Sequence, residues 1–151
     1  MATKEFENQK NIILIADDDP DDRLLIKEAF EESNWTKPLH FVEDGVELLD
    51  YLFRRGKYAD LVEEPLPDLI LLDLNMPRKN GIEALETIKS DPELKTIPII
   101  VFTTSKAEED ILRSYNLGVN SFITKPVSFD LLVDLTRSLA KYWFEIVKLP
   151  R

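Results

Sequence analysis

Leu69-Ile70-Leu71-Leu72-Asp73-Leu74-Asn75-Met76-Pro77 is the stretch that decides the fold. Four apolar residues run directly into one carboxylate, and a proline follows. A short apolar run bounded by a turn predicts a strand buried on both faces, which is the pattern of a parallel sheet. Ligand sites in open α/β sheets lie at the carboxyl ends of such strands. Asp73 therefore falls where chemistry is done. The competing reading is a solvated turn aspartate ahead of a proline. The stretch alone does not separate the two, so the flanking sequence must.

Upstream, residues 11–16 form a first apolar run that ends in Asp17-Asp18-Asp19-Pro20-Asp21-Asp22. Asp19 can cap a helix whose first position is Pro20, where a missing N–H costs nothing. Leu25 with Ala29 and Ile26 with Phe30 continue that helix at i,i+4 spacing. Leu39–Val42 reads as a second strand. Asp44 and Glu47 have the spacing of a capping box, and Val46, Leu49 and Leu52 form the apolar stripe of a second helix, with Gly56 as its stop. Residues 57–67, with Pro65 and Pro67, read as a surface loop.

Downstream, Asn80-Gly81-Ile82-Glu83 opens a third helix carrying Ile82, Leu85 and Ile88. Residues 97–102 make a fourth strand. Ser105 and Glu108 have capping-box spacing for a fourth helix with Ile111, Leu112 and Tyr115, and Gly118 lies past its end. Ser121–Thr124 is a fifth strand. Ser128 caps a last helix with Leu132, Leu135 and Leu139 facing inward. Strand then helix, repeated five times, predicts an α/β fold with a parallel sheet, helices on both faces and right-handed crossovers.

Composition narrows the function. The 151 residues suit one domain, residues 11–142, after a polar extension at 1–10. A hydrophobic fraction of 44% supplies a core. With no cysteine there is no disulfide, thiolate metal site or cysteine nucleophile. The polar N-terminus lacks a signal-peptide pattern, and no run reaches membrane-spanning length, so a cytoplasmic protein is expected. A net charge of −10 disfavours direct binding to nucleic acid. The lone histidine, His40, lies on the second strand and makes a poor case for a phosphohistidine carrier.

Parallel strands bring their carboxyl ends to one edge. That edge collects Asp17 and Asp18 after the first strand, Asp73 after the third, Thr103 after the fourth and Lys125 after the fifth. Carboxylates about 4 Å apart repel by roughly 4 kcal/mol per pair at an effective dielectric near 20. Protonation, the Lys125 ammonium or a hard divalent cation must offset this. Oxygen-only ligands favour magnesium or manganese over zinc. A carboxylate nucleophile beside a cation, a hydroxyl and a lysine is suited to accepting a phosphoryl group. Asp73, the central carboxylate, takes that role.

On these residues the chain resembles the receiver domains of two-component response regulators. Ile15-Ala16-Asp17-Asp18-Asp19-Pro20 matches the family's acidic pair, and Leu71-Leu72-Asp73-Leu74-Asn75-Met76-Pro77 its phosphorylated aspartate. Gly81 matches the glycine after that proline, Phe102-Thr103-Thr104 the switch hydroxyl, Phe122 the switch aromatic, and Lys125-Pro126 the family's lysine. The resemblance implies a flavodoxin-like sheet in the order 2-1-3-4-5. It implies magnesium held by Asp18, Asp73 and the Asn75 carbonyl, with Asp17 acting through water. It also implies phosphoryl transfer from a sensor histidine kinase, self-catalysed hydrolysis, and a cis Lys125–Pro126 bond. Thr103 would bind the phosphoryl group and Phe122 would swing in behind it. Phe122 replaces the commoner tyrosine, and Thr104 a commoner alanine. Asn75 and Ser105 would flank the path of the attacking water.

The tail adds large apolar residues at Tyr142, Trp143, Phe144, Ile146 and Val147. Packing back on the sheet is one reading. The preferred one is a homodimer contact through Trp143, Phe144, Ile146 and Val147 in a C-terminal extension at 143–151. This tail and the acidic start resemble the regulators paired with phytochrome kinases, whose extended C-terminus forms a homodimer. No length is left for a DNA-binding module, so output by protein contact or phosphate relay is expected. Two alternatives stand beside the phospho-acceptor. One is an aspartyl-nucleophile phosphatase, which usually wants a second aspartate where this chain has Asn75. The other is a degenerate receiver acting only as a scaffold.

Overall fold

A computed structural model describes residues 11–149; the polar extension at 1–10 and the last two residues lie outside the described residues. Five parallel strands form one sheet among the described residues: β1 (Ile13–Ala16), β2 (Leu39–Val42), β3 (Leu69–Leu72), β4 (Ile99–Thr103) and β5 (Ser121–Thr124). Their order is β2-β1-β3-β4-β5, as the resemblance implied. The helices are α1 (Pro20–Glu32), α2 (Gly45–Phe53), α3 (Gly81–Ser90), α4 (Glu108–Asn116) and α5 (Phe129–Lys141).

Side chains along a strand alternate between faces, so the central strands feed two cores. Leu14, Ala16, Ile70, Leu72, Ile99 and Val101 pack with Leu48 and Leu52 of α2 and Leu85 and Ile88 of α3. Ile13, Ile15, Leu69, Leu71, Ile100 and Phe102 pack with Ile26, Ala29 and Phe30 of α1 and Leu132 and Leu139 of α5. No helix of the described residues is long and apolar enough to cross a membrane.

Several local expectations need correction. β4 starts at Ile99 and not at residue 97, because Pro98 has no N–H to give the ladder; its carbonyl accepts from the Ile70 N–H at 3.0 Å. Ser105 does not cap α4. The cap position is Ala107, without a side-chain bond, and the Ser105 hydroxyl donates instead to Asp110 at 2.7 Å. α4 lies on the sheet by a narrow face: Leu112 and Tyr115 are exposed, and Ser114 is its buried residue. Leu25 of α1 also points out. Arg54, in the left-handed region, ends α2 before Gly56, and Gly56 opens a 3₁₀ turn (Gly56–Leu61) within the expected loop. No peptide bond is cis among the described residues, so Lys125–Pro126 is trans. X–Pro bonds tolerate either isomer at small cost, and the trans bond still lets the Lys125 N–H donate to the Thr103 carbonyl at 2.9 Å.

The tail departs furthest from expectation. α5 runs into a π turn, Tyr142–Ile146, closed by an i,i+5 bond from the Val147 N–H to the Tyr142 carbonyl. Leu132, Thr136, Leu139 and Trp143 follow one another at steps of four, three and four residues, a single buried helical face that carries Trp143 inward. Trp143 is only 8% exposed and joins the α1–α5 core. Phe144 packs on Trp35 with ring centroids 5.0 Å apart, and Trp35 packs on Phe30 at 6.0 Å. Val147 and Leu149 lie partly buried on the same cluster. Of the four residues expected at a dimer contact, Trp143 is therefore turned into its own chain, and Ile146 is the one left well exposed, beside Tyr142. Trp143→Ala should lower stability by about 3–5 kcal/mol, as truncation of a buried tryptophan does. Urea unfolding reads this directly, and a midpoint equal to wild type would show that the tail adds nothing to the core.

Candidate functional site

The sheet itself positions the acidic edge. Its ladder continues one residue past three strand ends. The Asp17 N–H donates to the Val42 carbonyl at 3.0 Å, the Asp73 N–H to Ala16 at 3.0 Å, and the Lys125 N–H to Thr103 at 2.9 Å. The backbone at each site residue is thus fixed before its side chain is placed. Asp17, Asp73 and Thr103 are buried, Lys125 is nearly so, and Asp18 and Asn75 are exposed at the mouth.

Asp73 is held at both oxygens. Its Oδ1 accepts from the Thr103 hydroxyl at 2.8 Å and the Asn75 N–H at 3.0 Å, and its Oδ2 accepts from Lys125 Nζ at 2.9 Å. The Thr103 hydroxyl thus already faces Asp73. The same ammonium donates to Asp17 at 2.7 Å and to Asp22 at 2.8 Å. Burial opposes a charge on Lys125, but the three carboxylates outweigh it and hold its pKa above the usual lysine value. At Asp17 the balance reverses. Burial raises its pKa, and its share of one ammonium and the Asp19 N–H only partly counter that.

Oxygens of Asp17, Asp18 and Asp73 lie within 4.8 Å of one another. Hard oxygen donors in this number, two on buried side chains and one open to solvent, suit a divalent cation of the magnesium or manganese kind. Thr104 and Ser105 follow Thr103; the Ser105 N–H reaches its hydroxyl oxygen at 3.4 Å. Phe122 lies partly buried against the α2–α3 core. It has no phenol of its own, yet its N–H donates to the hydroxyl of Tyr115 on α4 at 3.1 Å.

Two features of the site were not read from the sequence. The first is Asp22. The signal that could have found it is its spacing, three residues past the Asp19 cap and so in the first turn of α1. The second is the clamp on the loop that carries Asn75. Arg78, at φ 63°, makes a bidentate pair with the α2 cap Asp44, at 2.8 and 3.1 Å. The Gly45 N–H donates to the Lys79 carbonyl at 2.9 Å, and a Cβ on Gly45 would collide with that carbonyl. Gly81 is confined likewise: a Cβ there would meet the Asp73 carbonyl and Leu74. Its place after Pro77 follows from this close approach. Nothing in the spacing of residues 44 and 78 marks them as partners.

Residues 13–137 match the response regulator receiver domain family. Response regulator Rcp1 of Synechocystis sp. is 38% identical over 143 residues, 95% of each chain. Among solved structures, the phosphorylated cyanobacterial phytochrome response regulator RcpA is 40% identical with a TM-score of 0.87, over 95% of this chain and 100% of that one. The Mn(2+)-bound form of response regulator Rcp1 is 38% identical with a TM-score of 0.84, over 95% and 100%. The chain belongs to the response regulator receiver domain family.

The Asp44–Arg78 clamp has a pH signature. Burial works against the Asp44 charge, but Arg78 and the Glu47 N–H outweigh it and hold the carboxyl below its ordinary range. A depressed carboxylate stabilises the fold above its unfolded pKa of about 3.9 and loses that contribution as pH falls through the folded value. Asp44→Asn, which keeps a capping side chain, should be less stable than wild type at neutral pH. The gap should begin to close below about pH 3.9 and vanish once the pH is under the folded value. Urea unfolding across pH checks this, and a gap that persists in acid would remove the ion pair from the account.

Proposed function

We propose that this chain accepts a phosphoryl group on Asp73 from a phosphohistidine of a sensor kinase and signals in the phosphorylated state. The observation that carries the proposal is the Asp73 carboxylate, held between Thr103 and Lys125 beside two further carboxylates. In the reaction a bond forms between an Asp73 carboxylate oxygen and phosphorus, and the bond from phosphorus to the donor nitrogen breaks. Lys125 and the Thr103 hydroxyl meet the charge on the equatorial oxygens. Asp17, Asp18, Asp73 and the Asn75 carbonyl would hold magnesium, or manganese in its place. When bound, the cation neutralises charge between carboxylates and phosphate. The Mn(2+)-bound form of the relative Rcp1 supports a divalent ion.

Asn75 has no acidic proton to transfer where a phosphatase of the aspartyl-nucleophile type uses a second aspartate, so the adduct is held and not turned over as a substrate. Its hydrolysis is self-catalysed, past Asn75 and Ser105. Thr103 and Phe122 form the switch. The phosphorylated adduct adds charge and acceptor oxygens, and the Thr103 hydroxyl that meets them determines how deep the Phe122 ring can sit.

The kinase is of phytochrome type, on the strength of the relative RcpA, a phytochrome response regulator. Leu24 and Leu25 on α1 and Val127, Phe129 and Leu131 beyond Lys125 are exposed, and they offer the kinase an apolar surface around the site. The setting is the cytoplasm, with neither nucleic acid nor membrane as partner. The tail forms a homodimer through its outward residues, Tyr142 and Ile146, with Phe144 and Val147 beside them.

With acetyl phosphate and magnesium, intact mass should show one phosphoryl adduct on wild type. Asp73→Asn or added chelator should abolish it. An adduct that survives in Asp73→Asn would defeat the proposal, and release of many phosphates per chain from a small monoester would favour the phosphatase. The dimer is a separate claim. Light scattering of the Tyr142→Glu, Ile146→Glu double variant should give half the wild-type mass, and an unchanged mass would refute it.

A further inference from the structure

Asp22 lies outside the strand-end set, yet it touches the site's one buried cation. It is the third residue of α1, whose start is fixed by the Asp19 cap on the Asp21 N–H and by Pro20 at the first position. From there its carboxylate accepts from Lys125 Nζ at 2.8 Å. An ammonium has three N–H donors. Asp17, Asp22 and Asp73 take all three, at 2.7, 2.8 and 2.9 Å.

A phosphoryl oxygen on Asp73 that is to be met by Lys125 must therefore displace or share with one of these acceptors. They are not equally free to leave. The Asp17 side chain is 2% exposed and its backbone is locked into the sheet ladder. Releasing it would leave a buried carboxylate without its partner, which is costly. The Asp22 side chain is 34% exposed on the first turn of a helix, so water can replace the ammonium there. Its negative charge is also favoured at a helix start. Of the three, Asp22 is the acceptor Lys125 leaves at least cost.

We infer that Asp22 is a positioning residue: it draws Lys125 toward α1 before phosphoryl transfer and competes with the phosphoryl group for that ammonium afterwards. The inference rests on the phospho-acceptor function proposed above. It has a paired consequence with opposite signs. The Asp22 charge attracts a divalent cation to the edge and repels the incoming phosphoryl donor. Removing it should weaken magnesium binding and, once magnesium is saturating, speed formation of the adduct and slow its loss.

The test uses the full chain with Asp22→Asn, Asp22→Ala and Asp22→Glu. Magnesium affinity is measured by calorimetry, and the rate of adduct formation from acetyl phosphate is measured at saturating magnesium. Asp22→Asn and Asp22→Ala should bind magnesium several-fold more weakly and phosphorylate several-fold faster, more so for Ala, which leaves no acceptor. Asp22→Glu should return toward wild type. A saturating rate equal to or below wild type in both charge-removing variants would overturn the inference. A third readout needs no phosphorylation. The ¹⁵N signal of the Lys125 ammonium, sheltered by three acceptors, should shift and exchange faster with water in Asp22→Asn, and an unchanged signal also overturns the inference. If wild type itself takes no phosphoryl group on Asp73, the functional proposal fails, and the ammonium signal still decides whether Asp22 holds Lys125.

Discussion

One buried ammonium holds the acidic edge together. Lys125 brings the ends of β1, β3 and β5 to a single point by donating to Asp17 and Asp73, and it reaches α1 through Asp22. Without it, Asp17 and Asp73 would face each other in a largely buried site, a repulsion costing several kcal/mol. Even with it the edge keeps a net negative charge: Asp17, Asp18, Asp22 and Asp73 stand against one lysine. That residual charge favours a cation at the edge and disfavours a further anion.

Everything else near the site serves to keep that point fixed. The sheet ladder extends past the strands to set the Asp17, Asp73 and Lys125 backbones. Gly81 lets α3 start against the Asp73 carbonyl, and the Asp44–Arg78 pair ties the Asn75 loop to α2. On the far face, Trp143 and Phe144 extend the core over α1 and Trp35, which steadies the helix that supplies Asp22. The tail and the site thus share α1 as a common support, although they lie at different ends of the sequence.

The fold was legible because its signals are local. Apolar runs such as Leu69–Leu72, caps such as Asp19, Asp44, Asn80 and Ser128, and the alternation of strand with helix all lie within a few residues of one another. Strand order came from the family resemblance, not from periodicity. Asp17, Asp18, Asp73, Thr103 and Lys125 were legible as a set because parallel topology sends every strand end to one edge. What failed depends on geometry finer than spacing. Ser105 has a capping residue's spacing, but its hydroxyl turns to Asp110. Leu112 and Tyr115 have helical periodicity, but α4 packs too shallowly to bury them. Trp143 shares the helical face of Leu132, Thr136 and Leu139, and spacing alone does not say whether that face meets its own chain or a second copy. The Arg78–Asp44 and Tyr115–Phe122 contacts join residues with no sequence relation.

The central claim is that Asp73 carries the phosphoryl group, and the most direct measurement is chemical location of the bond. An aspartyl phosphate is an acyl phosphate, which borohydride reduces to homoserine. After incubation with a phosphodonor and magnesium, reduction and peptide mapping should find homoserine at position 73 and nowhere else. Homoserine at Asp17, Asp18 or Asp22, or its absence in a chain that has gained the phosphoryl mass, would contradict the account.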